Sequence, residues 1–167
     1  MKLFKGIYDG VVERHKLRTL FWECTLRCNL RCRHCGSDCR TDVAERDMPL
    51  EDFLKVLDTE VTPNVRPEEV LIIFSGGEVL VRRDLEEAGR EVTRRGYKWG
   101  MVTNGLGLTR ERLQSLVAAG LRSVSVSFDG FEDIHNYIRQ SGESFERARR
   151  AIGYIREVEG LTYDVIT

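Results

Sequence analysis

Hydrophobic and polar positions along the chain switch repeatedly between a strand-like period of two and a helical period near 3.6. Thr19-Leu20-Phe21-Trp22-Glu23-Cys24 predicts a first strand. Pro49 opens a helix whose apolar stripe is Leu50, Phe53, Leu54, Leu57 and Val61. Val70 to Phe74 is a continuous apolar run bounded by turn residues, the pattern of a strand buried on both faces. Asp84, with Glu87 three residues on, is the expected cap of a helix carrying Leu85, Ala88 and Val92 and ending at Gly96. Lys98 to Thr103 predicts a third strand, and Thr109 caps a helix with Leu113, Leu116 and Val117, stopped by Gly120. Ser123 to Phe128 alternates strictly, with Val124, Val126 and Phe128 on one face and Ser123, Ser125 and Ser127 on the other. Phe145, Ala148, Ile152, Ile155 and Val158 stripe a last helix ending near Gly160, and Thr162 to Thr167 predicts a fifth strand.

Strands alternating with helices imply right-handed βαβ crossovers, an α/β fold with a parallel sheet. The serine face of the fourth strand suits either the concave, polar side of a curved sheet or a barrel core packed with small residues. At 167 residues the chain predicts one domain, spanning 1–167, with no linker or low-complexity stretch. Lys plus Arg (26) nearly balance Asp plus Glu (27), a net −1 that lacks the basic footprint of a nucleic-acid binder. No window approaches the roughly 18 consecutive apolar residues of a membrane span, and Met1 to Gly6 lacks the apolar core of a secretory signal. A cytoplasmic protein with no membrane partner is expected, in a compartment that keeps thiols reduced.

That compartment matters because all five cysteines, Cys24, Cys28, Cys32, Cys35 and Cys39, fall within sixteen residues. An odd, crowded set is wrong for a disulfide framework and points to a metal centre. Cys28-Asn29-Leu30-Arg31-Cys32-Arg33-His34-Cys35 has C-x3-C-x2-C spacing, on the loop directly after the first strand. Thiolates suit zinc, Cu(I) or iron–sulfur clusters. Three on one short loop can hold three irons of a cubane and leave the fourth open, whereas an electron-transfer ferredoxin supplies four cysteines. A zinc site closes with a fourth ligand, for which Cys39 or His34 is at hand. The spacing favours a cluster, and a non-enzymatic zinc- or cluster-binding structural module is the alternative. Cys24 shares a strand face with Leu20 and Trp22 and reads as a buried thiol; Cys39 is open between spare thiol and ligand.

The wording of this loop resembles the signature of the radical S-adenosylmethionine (radical SAM) superfamily. Three further motifs follow in order. Ser75-Gly76-Gly77-Glu78 comes after the second strand, Thr103-Asn104-Gly105 ends the third, and Ser127-Phe128-Asp129-Gly130 ends the fourth, with His135 and Ile138-Arg139 beyond it. In a β/α barrel, functional residues gather at the C-terminal ends of the strands, which is where all four lie.

The resemblance runs from about Thr19 to Thr167 and implies a partial, TIM-like (β/α) barrel: four βα units plus a fifth strand of a six-stranded core. It implies a [4Fe–4S] cluster on Cys28, Cys32 and Cys35, reductive cleavage of S-adenosylmethionine to a 5′-deoxyadenosyl radical, and hydrogen abstraction. Gly76 and Gly77 would let backbone approach a ligand, and Glu78 would accept from the methionyl ammonium. Arg139 and Ser127 would bind the methionyl carboxylate, Asn104 or Asp129 would contact the nucleoside, and His34 would shield the cluster. The motifs look most like members that modify peptides or proteins and carry a C-terminal domain with auxiliary clusters (SPASM type). A peptide substrate and a reductant such as flavodoxin or ferredoxin are therefore the expected partners. Val79 stands where the family usually has proline, and Asn136 where peptide-modifying relatives often have aspartate. An unpaired fifth-strand edge is expected to promote self-association.

Overall fold

Five parallel strands form one sheet in the computed structural model, which describes Lys5, residues 15–44 and residues 46–167. The expectation for Met1 to Gly6 therefore lies, Lys5 apart, outside the described residues. The strands are β1 (Thr19–Thr25), β2 (Leu71–Gly76), β3 (Lys98–Thr103), β4 (Leu121–Ser127) and β5 (Thr162–Ile166). Their spatial order is their sequence order. When every right-handed crossover steps the same way, the helices collect on one face and the sheet curls as part of a barrel. The helices are α1 (Leu50–Val56), α2 (Leu85–Arg94), α3 (Arg110–Ala118), α4 (Glu132–Arg139) and α5 (Ser144–Arg156). The α/β class and the partial barrel follow as expected.

Register explains where the core sits. Trp22, Phe74, Met101 and Val124 stand side by side across β1 to β4. They share one buried cluster with Leu50, Phe53, Leu85, Val92, Leu113, Leu116, Ala148 and Ile155 from the helices. Within it Trp22 stacks on Phe53 of α1, ring centroids 3.9 Å apart, and Phe74 on Trp99 at 4.9 Å. Such ring pairs add about 0.5–1.5 kcal/mol beyond their buried area. Ser123, Ser125 and Ser127 project to the other face and are only half-buried.

Three local expectations change. Asp84 occupies the N-cap position of α2 but makes no capping bond; its carboxylate is taken by Arg82, 2.9 Å away, a buried cation that needs an anion. Thr109 does cap α3, accepting from the Arg112 amide at 3.1 Å, a bond worth about 1 kcal/mol. The hydrogen-bond ladder of the first helix loosens into a π turn over Leu57–Val61 and closes in a 3-10 turn at Thr62–Asn64. The third change is α4 itself, a helix in a stretch where no apolar stripe predicts one. Among the described residues no helix is long and apolar enough to cross a membrane.

Candidate functional site

Each motif sits at the C-terminal end of its strand, and four of these ends close around one cavity of about 160 Å³. Cys28, Cys32, His34, Cys35 and Cys39 line it from the loop after β1, and Gly76 and Gly77 from the end of β2. Thr103 and Asn104 come from β3, Ser127 from β4 and Arg139 from α4. Ser75, Glu78 and Asp129, expected at the same site, are not part of this lining. A larger cavity of about 600 Å³ opens among Leu17, Val61, Pro63 and Val65, at the strands' opposite end, and holds none of the motifs. Chemistry, not size, selects the smaller one.

The cysteine loop is pinned from both sides. The Cys28 amide donates to the Arg40 carbonyl at 3.1 Å, and the Arg33 amide to the Ile138 carbonyl of α4 at 2.8 Å. Arg33 also lies over the Tyr137 ring, 4.2 Å from its centroid. Every sulfur of the C-x3-C-x2-C set receives an N–H. The Leu30 amide approaches Cys28 Sγ at 3.4 Å, the Cys39 amide approaches Cys35 Sγ at 3.3 Å, and Arg139 Nη1 lies 3.8 Å from Cys32 Sγ. Asn104 Nδ2 adds a long contact to Cys28 at 3.9 Å. Burial pushes the Cys28 and Cys32 thiols above their ordinary range. Cys39 is pushed up to about 12, by burial first and then by Cys35 beside it. Cys24 is buried as expected; its thiol donates to the Ser75 carbonyl at 3.4 Å and is raised to about 12 by burial.

The two glycines are required by the chain's own close approach. A Cβ on Gly76, whose φ is +118°, would sit 2.1 Å from the Thr25 carbonyl oxygen, and one on Gly77 2.2 Å from that of Arg27. The same contact carries hydrogen bonds: the Gly77 amide donates to Thr25 at 2.7 Å and the Glu78 amide to Arg27 at 2.9 Å. β2 thereby grips the base of the cysteine loop. Glu78 is fully buried, and its carboxylate accepts from the Thr103 hydroxyl at 2.6 Å and the Asn104 amide at 2.7 Å. A third donor, the Leu80 amide, lies at 3.1 Å. Burial raises the Glu78 carboxyl above its ordinary range despite these three bonds. Asn104 in turn bonds Asn29 Oδ1 at 2.8 Å and accepts from the Leu106 amide at 2.9 Å.

Arg139 and Asp129 form a two-point pair, Nε to Oδ2 at 2.5 Å and Nη2 to Oδ1 at 3.0 Å. Burial pushes the Asp129 carboxyl up, but Arg139 and then His34 outweigh it and hold the group below the usual carboxylate range. His34, otherwise exposed, places Nε2 3.3 Å from Asp129. His135 is buried and accepts the Asp129 amide on Nδ1 at 3.1 Å; burial and then the Arg139 charge lower it, favouring the neutral ring. Asn29, Thr103 and His135 hold Asn104, Glu78 and Asp129 in place; residue type alone gives them no ligand role, although all three stand in or next to the strand-end motifs.

The donor set fits a thiolate-held cluster: soft sulfur ligands around a cavity, each met by an N–H that favours negative charge on sulfur. Among the described residues no three His, Cys, Asp or Glu side chains are drawn together as a single-ion site.

Comparison with known proteins agrees with this geometry. The chain is 30% identical over 151 residues to the AdoMet-dependent heme synthase of Nitratidesulfovibrio vulgaris, covering 90% of this chain and 40% of that protein. It is 35% identical over 147 residues to the tungsten-containing aldehyde ferredoxin oxidoreductase cofactor-modifying protein of Pyrococcus furiosus, covering 85% and 40%. It thus spans about 40% of the length of these curated relatives. It superposes on Streptococcus suis SuiB bound to S-adenosylmethionine with a TM-score of 0.71 at 15% identity, over 93% of this chain and 36% of that one, a likeness of fold. The Radical SAM superfamily profile matches residues 22–167, nearly all of the described sheet and every motif of the cavity, and the chain belongs to that superfamily.

Proposed function

We propose that this chain is the part of a radical SAM enzyme that holds a [4Fe–4S] cluster on Cys28, Cys32 and Cys35 and binds S-adenosylmethionine beside it. The observation that carries the reading is the convergence of four strand-end motifs on one cavity. When bound, the cluster supplies the electron that cleaves S-adenosylmethionine to a 5′-deoxyadenosyl radical, drawn from a donor such as flavodoxin or ferredoxin. Ser127 lines the cavity beside Arg139. With the Nη1 edge of the guanidinium, it supplies donors for the methionyl carboxylate. Asn104 would contact the nucleoside, and His34, at the cavity's rim, would shield the cluster.

Glu78 has a positioning role beside the one the resemblance implies. Its carboxylate holds the β2 and β3 turns through three donors, and Oε2, met by the Asn104 amide alone, keeps a lone pair for the methionyl ammonium. Asp129 likewise orients Arg139 and does not line the cavity.

For the substrate we favour a heme precursor or another metal cofactor, because the relatives at 30–35% identity are named for such chemistry. A peptide substrate is the second reading, supported by the Ser127-to-Arg139 stretch and the fold shared with SuiB. Anaerobic reconstitution with iron and sulfide, then reduction with S-adenosylmethionine present, is expected to yield 5′-deoxyadenosine. Stimulation by iron porphyrins rather than by peptides supports the first substrate class. A chain that takes up zinc without iron or sulfide, and yields no 5′-deoxyadenosine, overturns the reading in favour of a structural module.

A further inference from the structure

The three N–H groups directed at the cysteine sulfurs are not equivalent. Cys28 and Cys35 are each met at 3.3–3.4 Å by a neutral backbone amide. Cys32 alone among the three is met by a cation, the Arg139 guanidinium, through Nη1 at 3.8 Å. Arg139 is only 9% exposed, so its charge is weakly screened by water. Its orientation is fixed from behind. Asp129 holds Nε and Nη2, leaving Nη1 as the nitrogen turned to the sulfur. The Asp129 amide is anchored on His135 Nδ1, and that ring is wedged against Phe128 and Phe145, with centroids 5.1 and 6.0 Å away. A chain of fixed contacts thus runs from the core to the sulfur of one proposed ligand.

We propose that Arg139 and Asp129 together set the reduction potential of the cluster, Arg139 raising it through its charge and N–H on Cys32 and Asp129 lowering it by partly neutralising that charge. This rests on the reading that the cysteines hold a [4Fe–4S] cluster. The couple is oxidised cluster plus one electron from an external reductant to give reduced cluster, with no bond made or broken. The reduced state carries one more negative charge, so a buried cation at a ligand sulfur stabilises it selectively. The role is separate from a methionyl carboxylate clamp, because it operates with no S-adenosylmethionine bound.

The test is an anaerobic redox titration of the reconstituted chain, read by the electron paramagnetic resonance of the reduced cluster, without S-adenosylmethionine. Wild type, Arg139→Gln, Arg139→Lys and Asp129→Asn are compared at equal iron and sulfide content. Arg139→Gln is expected to move the midpoint negative by about a tenfold change in the reduced-to-oxidised ratio, ~59 mV for one electron. Arg139→Lys retains part of the potential. Asp129→Asn is expected to move it the opposite way, which loss of packing alone would not produce. Unchanged midpoints in Arg139→Gln and Asp129→Asn, or shifts of one sign in both, overturn the inference. If Arg139→Gln takes up no cluster, the sign of the Asp129→Asn shift decides. Wild type that takes up no iron and sulfide overturns the cluster reading instead, so the two failures are distinguishable.

Discussion

Glu78 illustrates how a residue's role follows from its neighbours more than from its type. Its carboxylate meets three donors and no solvent. Glu78→Ala leaves the Asn104 and Leu80 amides without an acceptor, at about 1–3 kcal/mol for each buried donor. Chemical denaturation is expected to record a loss of about 2–6 kcal/mol. A side chain serving only as a ligand contact would leave the unfolding midpoint unmoved, and that result would remove the positioning role. The cysteines divide by the same logic. Ala at Cys28, Cys32 or Cys35 is expected to drop bound iron and sulfide to background after reconstitution. Cys24→Ala should retain both, because the Cys24 thiol faces the Ser75 carbonyl in the core. Cys39→Ala is expected to retain them too, although Cys39 lines the cavity. Equal loss from Cys39→Ala would identify a fourth ligand.

Most elements that bury apolar residues were legible in the chain; a helix that buries polar ones was missed. β1 to β4 and four of the helices turn hydrophobic positions toward a single core, so periodicity finds them, whereas β5, exposed along its whole length, shows only through its strand-forming residues. α4 is inverted. It buries His135 and Arg139, four residues apart and hence on one face, while Phe131, Ile134 and Tyr137 are 86%, 55% and 63% exposed. A search for an inward apolar stripe passes over such a helix, yet its inward polar pair is what it brings to the site. Asp84 failed as a cap for a related reason: the nearby buried cation Arg82 competes for its carboxylate, and sequence spacing cannot weigh that competition. Asp47, on the segment leading to α1, ties that segment to the end of β1. It accepts from the Thr25 hydroxyl at 2.6 Å and from Arg27. Burial pushes the Asp47 carboxyl up, but the Arg27 and Thr25 hydrogen bonds outweigh it and hold it below its usual value. A depressed folded-state pKa stabilises above the unfolded value of about 3.9, and that stabilisation disappears as pH falls through the folded value. Wild type is therefore expected to exceed Asp47→Asn in stability at pH 7 and to lose that advantage progressively as pH falls below about 4. Urea unfolding at pH 7, 4 and 3 checks this; a difference independent of pH would mean that the Asp47 charge contributes nothing.

Across the whole molecule, the parallel α/β class was readable from the βα rhythm, whereas the barrel's sequential strand order and the site's location came with the resemblance carried by the strand-end motifs. The substrate was not, since strand-end motifs encode the cluster and S-adenosylmethionine, which relatives with different substrates share. The sheet's outer strand has a consequence of its own. β5 pairs with β4 alone among the described residues. All five of its residues are exposed, Tyr163, Val165 and Ile166 among them. Such an edge offers free N–H and C=O groups beside apolar side chains, a template for pairing with another chain, and natural edges are commonly blunted with a lysine. Only Asp164 supplies charge on this strand. The 19.2 kDa chain is therefore expected to sediment with a weight-average mass that rises with concentration. Val165→Lys should move it toward the monomer while iron and sulfide content stay at the wild-type level, because Val165 lies outside the cavity lining. A wild-type mass fixed at the monomer value across a hundredfold range of concentration, or association that Val165→Lys leaves intact, would exclude pairing through this edge.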